Sequence, residues 1–526
     1  MKPVTIQNLA SLAPFASLTA FALTIGACGS ASPALHAPGP SGPPASPTAR
    51  TAVSAASHDE PPPPLEAKAS PFPAVAKRTL PNGLRVSIVE SHALPLIEIR
   101  VVVHAGIGFG APGVSEITAT MLEQGGTRAH TSSEVVNRIE MLGSSLTIAV
   151  GRDATRLSMG VVTQQLAQAL DILGEVIRNP RFDAAELTRV KARMTDQAKD
   201  DARSSGTWSA TRVLFHTLFA ATSPYATTSA VPAEIATVDG AAVRDFYNRH
   251  YAPSNVEVVV AGDVEADRGV EAIEHAFGPW KGPVARASTP VDFPPPLAPE
   301  PTRVVVVDRP DSVQSDLVVT ELLPERHAPS WPTDRAAIQV FGGGLTGRLF
   351  QDVREKRSLA YSVNASPIEL AHGAQPLFAY AGTRAPKTAD AVQAVLDTLD
   401  GMRTAPPTND EVTAARRFLS DIFAVRMETL GAIADMVAQL RELDLPDDYW
   451  DTYRAALRAV TTANTDREAA TVFTADHALI IVVGDARLVA DPLTRFGDVT
   501  VVDPEHDFQV LRTLPRSPAT PGTQGR

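Results

Sequence analysis

Residues 257–264 read E-V-V-V-A-G-D-V, and residues 479–486, about 222 positions later, read L-I-I-V-V-G-D-A. Each is an apolar run of buried-strand length closed by Gly-Asp. A second pair keeps nearly the same offset: R-N-P-R-F-D-A-A-E-L-T-R-V-K-A-R (178–193) and R-T-A-P-P-T-N-D-E-V-T-A-A-R-R (403–417). Two matches at one spacing predict an internal repeat, and so a body of two related halves. We place the halves at about 76–285 and 302–502, with the proline-rich stretch 286–301 as linker and 503–526 as a tail, disordered past about Leu514. Within the first half, strands are predicted at Thr79–Val89, Leu96–His104, Ser145–Val150 and Ala154–Val162, ahead of long helices such as 184–200 and 240–251. This mixing without regular alternation gives the class α+β.

Composition bounds the partners. The chain has 526 residues, too many for one core. Its net charge of −12 argues against nucleic acid as the main partner, because phosphate binding needs a basic face. A single cysteine, Cys28, excludes an intrachain disulfide. It follows Lys2, an apolar run from about Leu9 to Ile25, and then I-G-A-C. That is the layout of a secretory signal over 1–27. The small residues before Cys28 resemble the lipobox of bacterial lipoproteins, which implies a lipidated Cys28 as first mature residue. Gly29 follows instead of Asp, so the expected location is the outer membrane, facing the periplasm. Residues 28–75 are rich in Ala, Pro and Ser and read as an extended tether. The membrane is then reached through the lipid anchor alone.

The order of several weak motifs carries a resemblance. In the first half these are L-P-N-G-L-R-V from Leu80, G-V-S-E-I-T-A-T-M-L-E-Q-G-G-T (113–127) and F-Y-N-R-H-Y-A-P-S-N (246–255). In the second they are D-R-P-D-S-V-Q-S (308–315), G-G-G-L-T-G-R-L-F (342–350), R-E-K-R-S-L-A-Y (354–361) and L-P-D-D-Y-W (445–450). Together they resemble the insulinase/pitrilysin family of zinc metallopeptidases, which includes the mitochondrial processing peptidase. The resemblance spans nearly the whole body and implies two homologous halves, each a mostly antiparallel sheet packed with helices.

Members that cut peptides carry an inverted zinc motif, H-x-x-E-H. Two histidines at i and i+4 share one helix face and one metal, and the glutamate between them polarises bound water. Aligned on Gly113, this chain has Glu116, Ala119 and Thr120 at those three positions. Asp196 or Gln197 falls near the later glutamate ligand, but one oxygen does not hold a catalytic zinc. No two of the twelve histidines lie four apart, so there is no displaced copy of the motif. No cofactor is expected in this chain.

Arg354 and Tyr361, seven apart, match the arginine and tyrosine that family members supply from the half facing the zinc. The resemblance implies that they grip substrate. The plainer alternative pairs Arg354 with Asp352 or Glu355 and makes Tyr361 a core aromatic. Ser358 stands where the family often has Gly. The triple glycine 342–344 lacks the Lys-Ser/Thr of a phosphate loop and is expected to permit a close turn before Arg348. Taken together, the residues imply a subunit that is not catalytic alone. It would pair with a zinc-bearing subunit of the same family around an unfolded peptide. The alternative is a non-catalytic scaffold or peptide-binding lipoprotein of the cell envelope.

Overall fold

The computed structural model describes residues 71–281, 293, 294, 296, 297 and 301–517. Cys28 and its flanking signal lie outside the described residues. Strand β5 (Thr155–Val162) shows the pattern that builds the first half: Leu157, Met159 and Val161 are buried, while Arg156, Ser158 and Gly160 are less so. This period of two seats one face of a strand on a core. With β1 (Ala76–Thr79), β2 (Arg85–Glu90), β3 (Leu96–Val103), β4 (Thr147–Val150) and β6 (Val256–Gly262) it forms a six-stranded sheet, in the order β1-β2-β6-β3-β5-β4. Only β2 and β6 pair in parallel. The helices of this half are α1 (Val114–Gln124), α2 (Ser132–Glu140), α3 (Leu166–Arg178), α4 (Ala184–Ser204), α5 (Gly206–Leu218), α6 (Pro232–Thr237), α7 (Gly240–His250) and α8 (Ala266–Phe277). Apolar residues of α1, α3 and α8 fill the core against one sheet face, among them Ile117, Met121, Leu173, Ile177 and Phe277.

The second half repeats this plan. Its strands are β7 (Arg303–Asp308), β8 (Gln314–Thr320), β9 (Leu322–Glu325), β10 (Ala360–Pro367), β11 (Ala374–Arg384), β12 (Leu479–Gly484), β13 (Asp498–Asp503) and β14 (Gln509–Leu514). The sheet runs β10-β11-β8-β12-β7-β13-β14, with β9 beside β11. The run β7-β12-β8-β11-β10 matches β2-β6-β3-β5-β4, down to a parallel pair at the same place. The two echoed sequences are β6 and β12, each inside its own sheet. The helices are α9 (Trp331–Gly342), α10 (Thr388–Thr404), α11 (Asn409–Arg426), α12 (Leu430–Glu442), α13 (Tyr449–Ala459), α14 (Thr462–Val472) and α15 (Ala486–Leu493). The sheet extends beyond residue 502, into the segment expected to be a tail. Asp507 and Phe508 turn the chain back with left-handed φ of 54° and 60°, and β14 pairs with β13. No glycine marks that turn, which is why the hairpin was not legible.

Each half covers the other's sheet. Helix α12 lies over the face of the first sheet that its own helices leave free: Ala434 and Val437 pack on Val89, Val259 and Ala261. Helix α5 does the same for the second sheet, with Ala210, Val213, Leu214 and Phe215 against Val307, Val318, Ile481 and Val483. Polar residues under α12 are paired across the junction. Arg100 of β3 donates to Asp435 at 2.7 Å, Arg156 of β5 grips Glu442 at 2.5–2.6 Å, and Arg441 of α12 donates to Glu257 of β6 at 3.1 Å.

One buried acid sets a pH dependence. Glu321, after β8, accepts from the Thr474 hydroxyl at 3.0 Å, and its second oxygen has no partner. Burial pushes its carboxyl up to about 8. The unfolded chain ionises this group near pH 4.3, the folded chain only near 8, so stability falls as pH rises between those values. Glu321→Gln is expected to abolish that fall. Its Tm should gain on the parent's steadily from pH 5 to pH 8, and a constant difference would refute the assignment.

Candidate functional site

The resemblance would place a zinc helix at α1. Gly113 caps it with φ +82°, close enough to Ala230 that a Cβ would approach that methyl to 3.0 Å. Glu116 turns its carboxylate to the Ala230 N–H at 3.3 Å, and burial pushes its carboxyl up. Ala119 is buried and offers no donor atom. The Thr120 hydroxyl donates to the Glu116 carbonyl at 2.9 Å. On α4, Asp196 and Gln197 are exposed, and Gln197 donates to Asp201 at 3.1 Å. These residues do not fit a zinc ion: there is no imidazole, the half-buried Glu116 carboxylate is engaged with backbone, and the hydroxyl is spent on its own helix. Among the described residues no group of three or more His, Cys, Asp or Glu is placed to hold a metal.

Strand β4 is the edge beside this helix. An edge strand presents unpaired backbone groups to which an extended peptide could add. The Ile148 N–H is already taken, because it donates to Glu123 of α1 at 3.3 Å. The sequence offered no sign of this cap.

In the second half, α9 ends at the triple glycine. Gly342 passes so near Ala365 that a Cβ would come within 2.5 Å of its methyl, and Gly344 adopts φ +77°. The close turn expected there is present. Arg348 is structural: its guanidinium forks onto both oxygens of Glu411 at 2.7 and 2.8 Å. Residues Phe350–Lys356 then form a π-helical turn, a form often found at functional sites. Arg354 lies on this turn. Its side chain is 44% exposed, its guanidinium carbon is 4.8 Å from the Phe350 ring centre, and Glu355 is 3.7 Å away. Asp352, the other candidate partner, pairs with Arg357 at 2.9 Å. Ser358 takes φ +51°, the left-handed conformation that favours Gly, so the turn survives the substitution.

Tyr361 enters β10 at a bulge between Ala360 and Ser362 and is 50% exposed, hence not a core aromatic. Its hydroxyl donates to Gln314 at 3.0 Å. Gln314 lies in the D-R-P-D-S-V-Q-S segment, but nothing in the sequence assigned it this contact. Arg354 and Tyr361 therefore stand at the two ends of one short turn, both partly in solvent. A planar guanidinium and a phenol so held can donate to a peptide carbonyl or to negative charge developing on it.

The sequence model described as "Insulinase (Peptidase family M16)" matches residues 86–222, and the one described as "Peptidase M16 inactive domain" matches residues 237–419. The chain belongs to the insulinase family of peptidases. Among its relatives, an uncharacterized zinc protease of Streptomyces coelicolor is 24% identical over 384 residues, covering 69% of this chain and 80% of that protein. One of Mycobacterium leprae is 28% identical over 64% of this chain and 75% of its own length. Among solved structures, a peptidase M16 inactive domain from Pseudomonas fluorescens superposes with a TM-score of 0.71 at 23% identity, over 78% of this chain and 98% of that one. A protease from Helicobacter pylori gives 0.72 at 17%, over 78% and 100%. The chain is thus a protease-like member of the family, and among its described residues no group of three or more His, Cys, Asp or Glu is placed to hold a metal.

Proposed function

We propose that this chain is the zinc-less subunit of a composite metallopeptidase. A second family member would carry H-x-x-E-H, and this chain would present Arg354 and Tyr361 to the same unfolded peptide. The observation that supports this most is the exposure of that pair. Arg348 and Arg441, nearby in kind, are committed to carboxylates inside the fold. Arg354 rests on the Phe350 ring with a loose contact to Glu355, and so keeps donors for a substrate carbonyl. Binding spread along an extended peptide would then orient the scissile bond. We also propose attachment to the outer membrane through Cys28, which would keep the assembly at the cell envelope.

The reading is tested by native purification from membranes with mass spectrometry of what comes along. A stoichiometric partner bearing H-x-x-E-H, together with cleavage of a quenched unstructured peptide that needs both chains, is the expected result. The chain recovered alone, or with unrelated envelope proteins, would favour a scaffold or peptide-binding role.

A further inference from the structure

Tyr361 is seated on the sheet of its own half. Its ring crosses from β10 onto β11 and lies over Gly382. A Cβ at that position would fall 2.7 Å from Cζ of Tyr361, 2.8 Å from its hydroxyl oxygen and 3.1 Å from the hydroxyl of Tyr380. No side chain can occupy position 382 while both phenols stay in place. Gly382 pairs across the sheet with Asp316 of β8, and Asp316 accepts from the Tyr380 hydroxyl at 2.6 Å. Burial, reinforced by this carboxylate, pushes the Tyr380 phenol up, so it remains a donor. Gln314, two residues before Asp316 and on the same face, receives the Tyr361 hydroxyl.

The far side of Asp316 belongs to the first half. Helix α5, which covers this sheet, begins at Gly206. A Cβ there would lie 1.9 Å from one carboxylate oxygen of Asp316 and 2.5 Å from Cγ. Arg309 approaches the same oxygen at 3.7 Å. Asp316 is therefore held between the backbone of the first half and the Tyr380 phenol of the second. Its carboxylate has room only because residue 206 lacks a side chain.

We propose that Gly206 and Asp316 are positioning residues for Tyr361: the start of α5 fixes Asp316, Asp316 holds Tyr380, and the two phenols share the seat over Gly382. The proposal deepens the reading in which Tyr361 grips a peptide. In that reading the degenerate first half keeps a role, as the wall that aims a side chain carried by the second.

The test uses the full-length chain labelled with ¹³Cζ-tyrosine, the Tyr361 resonance being assigned by its loss in Tyr361→Phe. Gly206→Ala is expected to displace that resonance, and Asp316→Asn to do so with little change of shape, while Tyr247 and Tyr453 keep theirs. An unmoved Tyr361 resonance in both folded variants would overturn the proposal, even if Tyr380 moves. This result does not depend on a partner. In the two-chain peptidase, Gly206→Ala should lower kcat on a quenched unstructured peptide about tenfold, below the roughly hundredfold that an ångström of misplacement can cost. It should cost nothing further in a Tyr361→Phe background. Equal losses in both backgrounds would also overturn the proposal. Full activity of Tyr361→Phe by itself would remove the gripping role and leave the seating to be judged on the resonances.

Discussion

Arg354→Ala is expected to lower kcat/KM for an unstructured peptide by roughly 10²- to 10³-fold in the proposed two-chain peptidase, the range seen when one donor to a developing oxyanion is removed. The loss should fall mainly on kcat, because the donor matters most when charge has built up on the carbonyl. Arg354→Lys should recover only part of the rate, since an ammonium cannot reproduce a planar fork. Stability should hardly change. The side chain is 44% exposed, and its contact with Glu355 at 3.7 Å is of the surface kind that contributes little. Steady-state kinetics of the purified complex, run beside a thermal melt, separates the two effects. An intact complex with the parent's rate would show that Arg354 does not touch the reacting peptide.

The largest loss of stability is expected from Arg441→Met. Glu257 sits in the central strand β6 with its side chain 3% exposed. It accepts from the Ser87 hydroxyl at 2.5 Å and from Arg441 at 3.1 Å, while the half-exposed Arg85 stays 3.6 Å away. Removing Arg441 leaves a buried carboxylate short of its main counter-charge, which costs about 3–5 kcal/mol in comparable buried pairs. The residual pull of Arg85 places the expected value near the low end, about 3 kcal/mol. Adding Glu257→Gln should return most of that loss, because the buried charge then disappears with its partner. Urea denaturation of the two variants and the parent measures both steps. A double variant as unstable as Arg441→Met would assign the loss to packing by the arginine stem.

Much of this architecture was legible from the chain. The echo of β6 in β12 gave the two halves, because a fully buried strand has to be a continuous apolar run and two such runs closed by Gly-Asp are easy to align. Glu116, Ala119 and Thr120 offer no set of metal ligands, which residue type alone makes plain. What escaped was contact between distant residues. Neither Gly206 nor Gly382 looks unusual among 33 glycines, yet each leaves room for one atom group contributed from elsewhere. Glu123 sits at an ordinary helical position, and only the folded chain brings it to the Ile148 N–H. The hairpin of β13 and β14 was lost for a local reason: Asp507 and Phe508 adopt a backbone that their side chains do not advertise.

The exchange of α5 and α12 between the two halves bears on how a peptide could enter. Swinging the halves apart would strip Ala434 and Val437 from the first sheet and Leu214 and Phe215 from the second, and would break the Arg100, Arg156 and Arg441 pairs in the same motion. Apolar surface costs about 25 cal/mol for every Å² returned to water, and the severed ion pairs add to it. This polypeptide therefore behaves as one stiff jaw. If it encloses substrate with a partner, the doorway lies along the seam between two chains, and admission is governed by how firmly those chains hold each other.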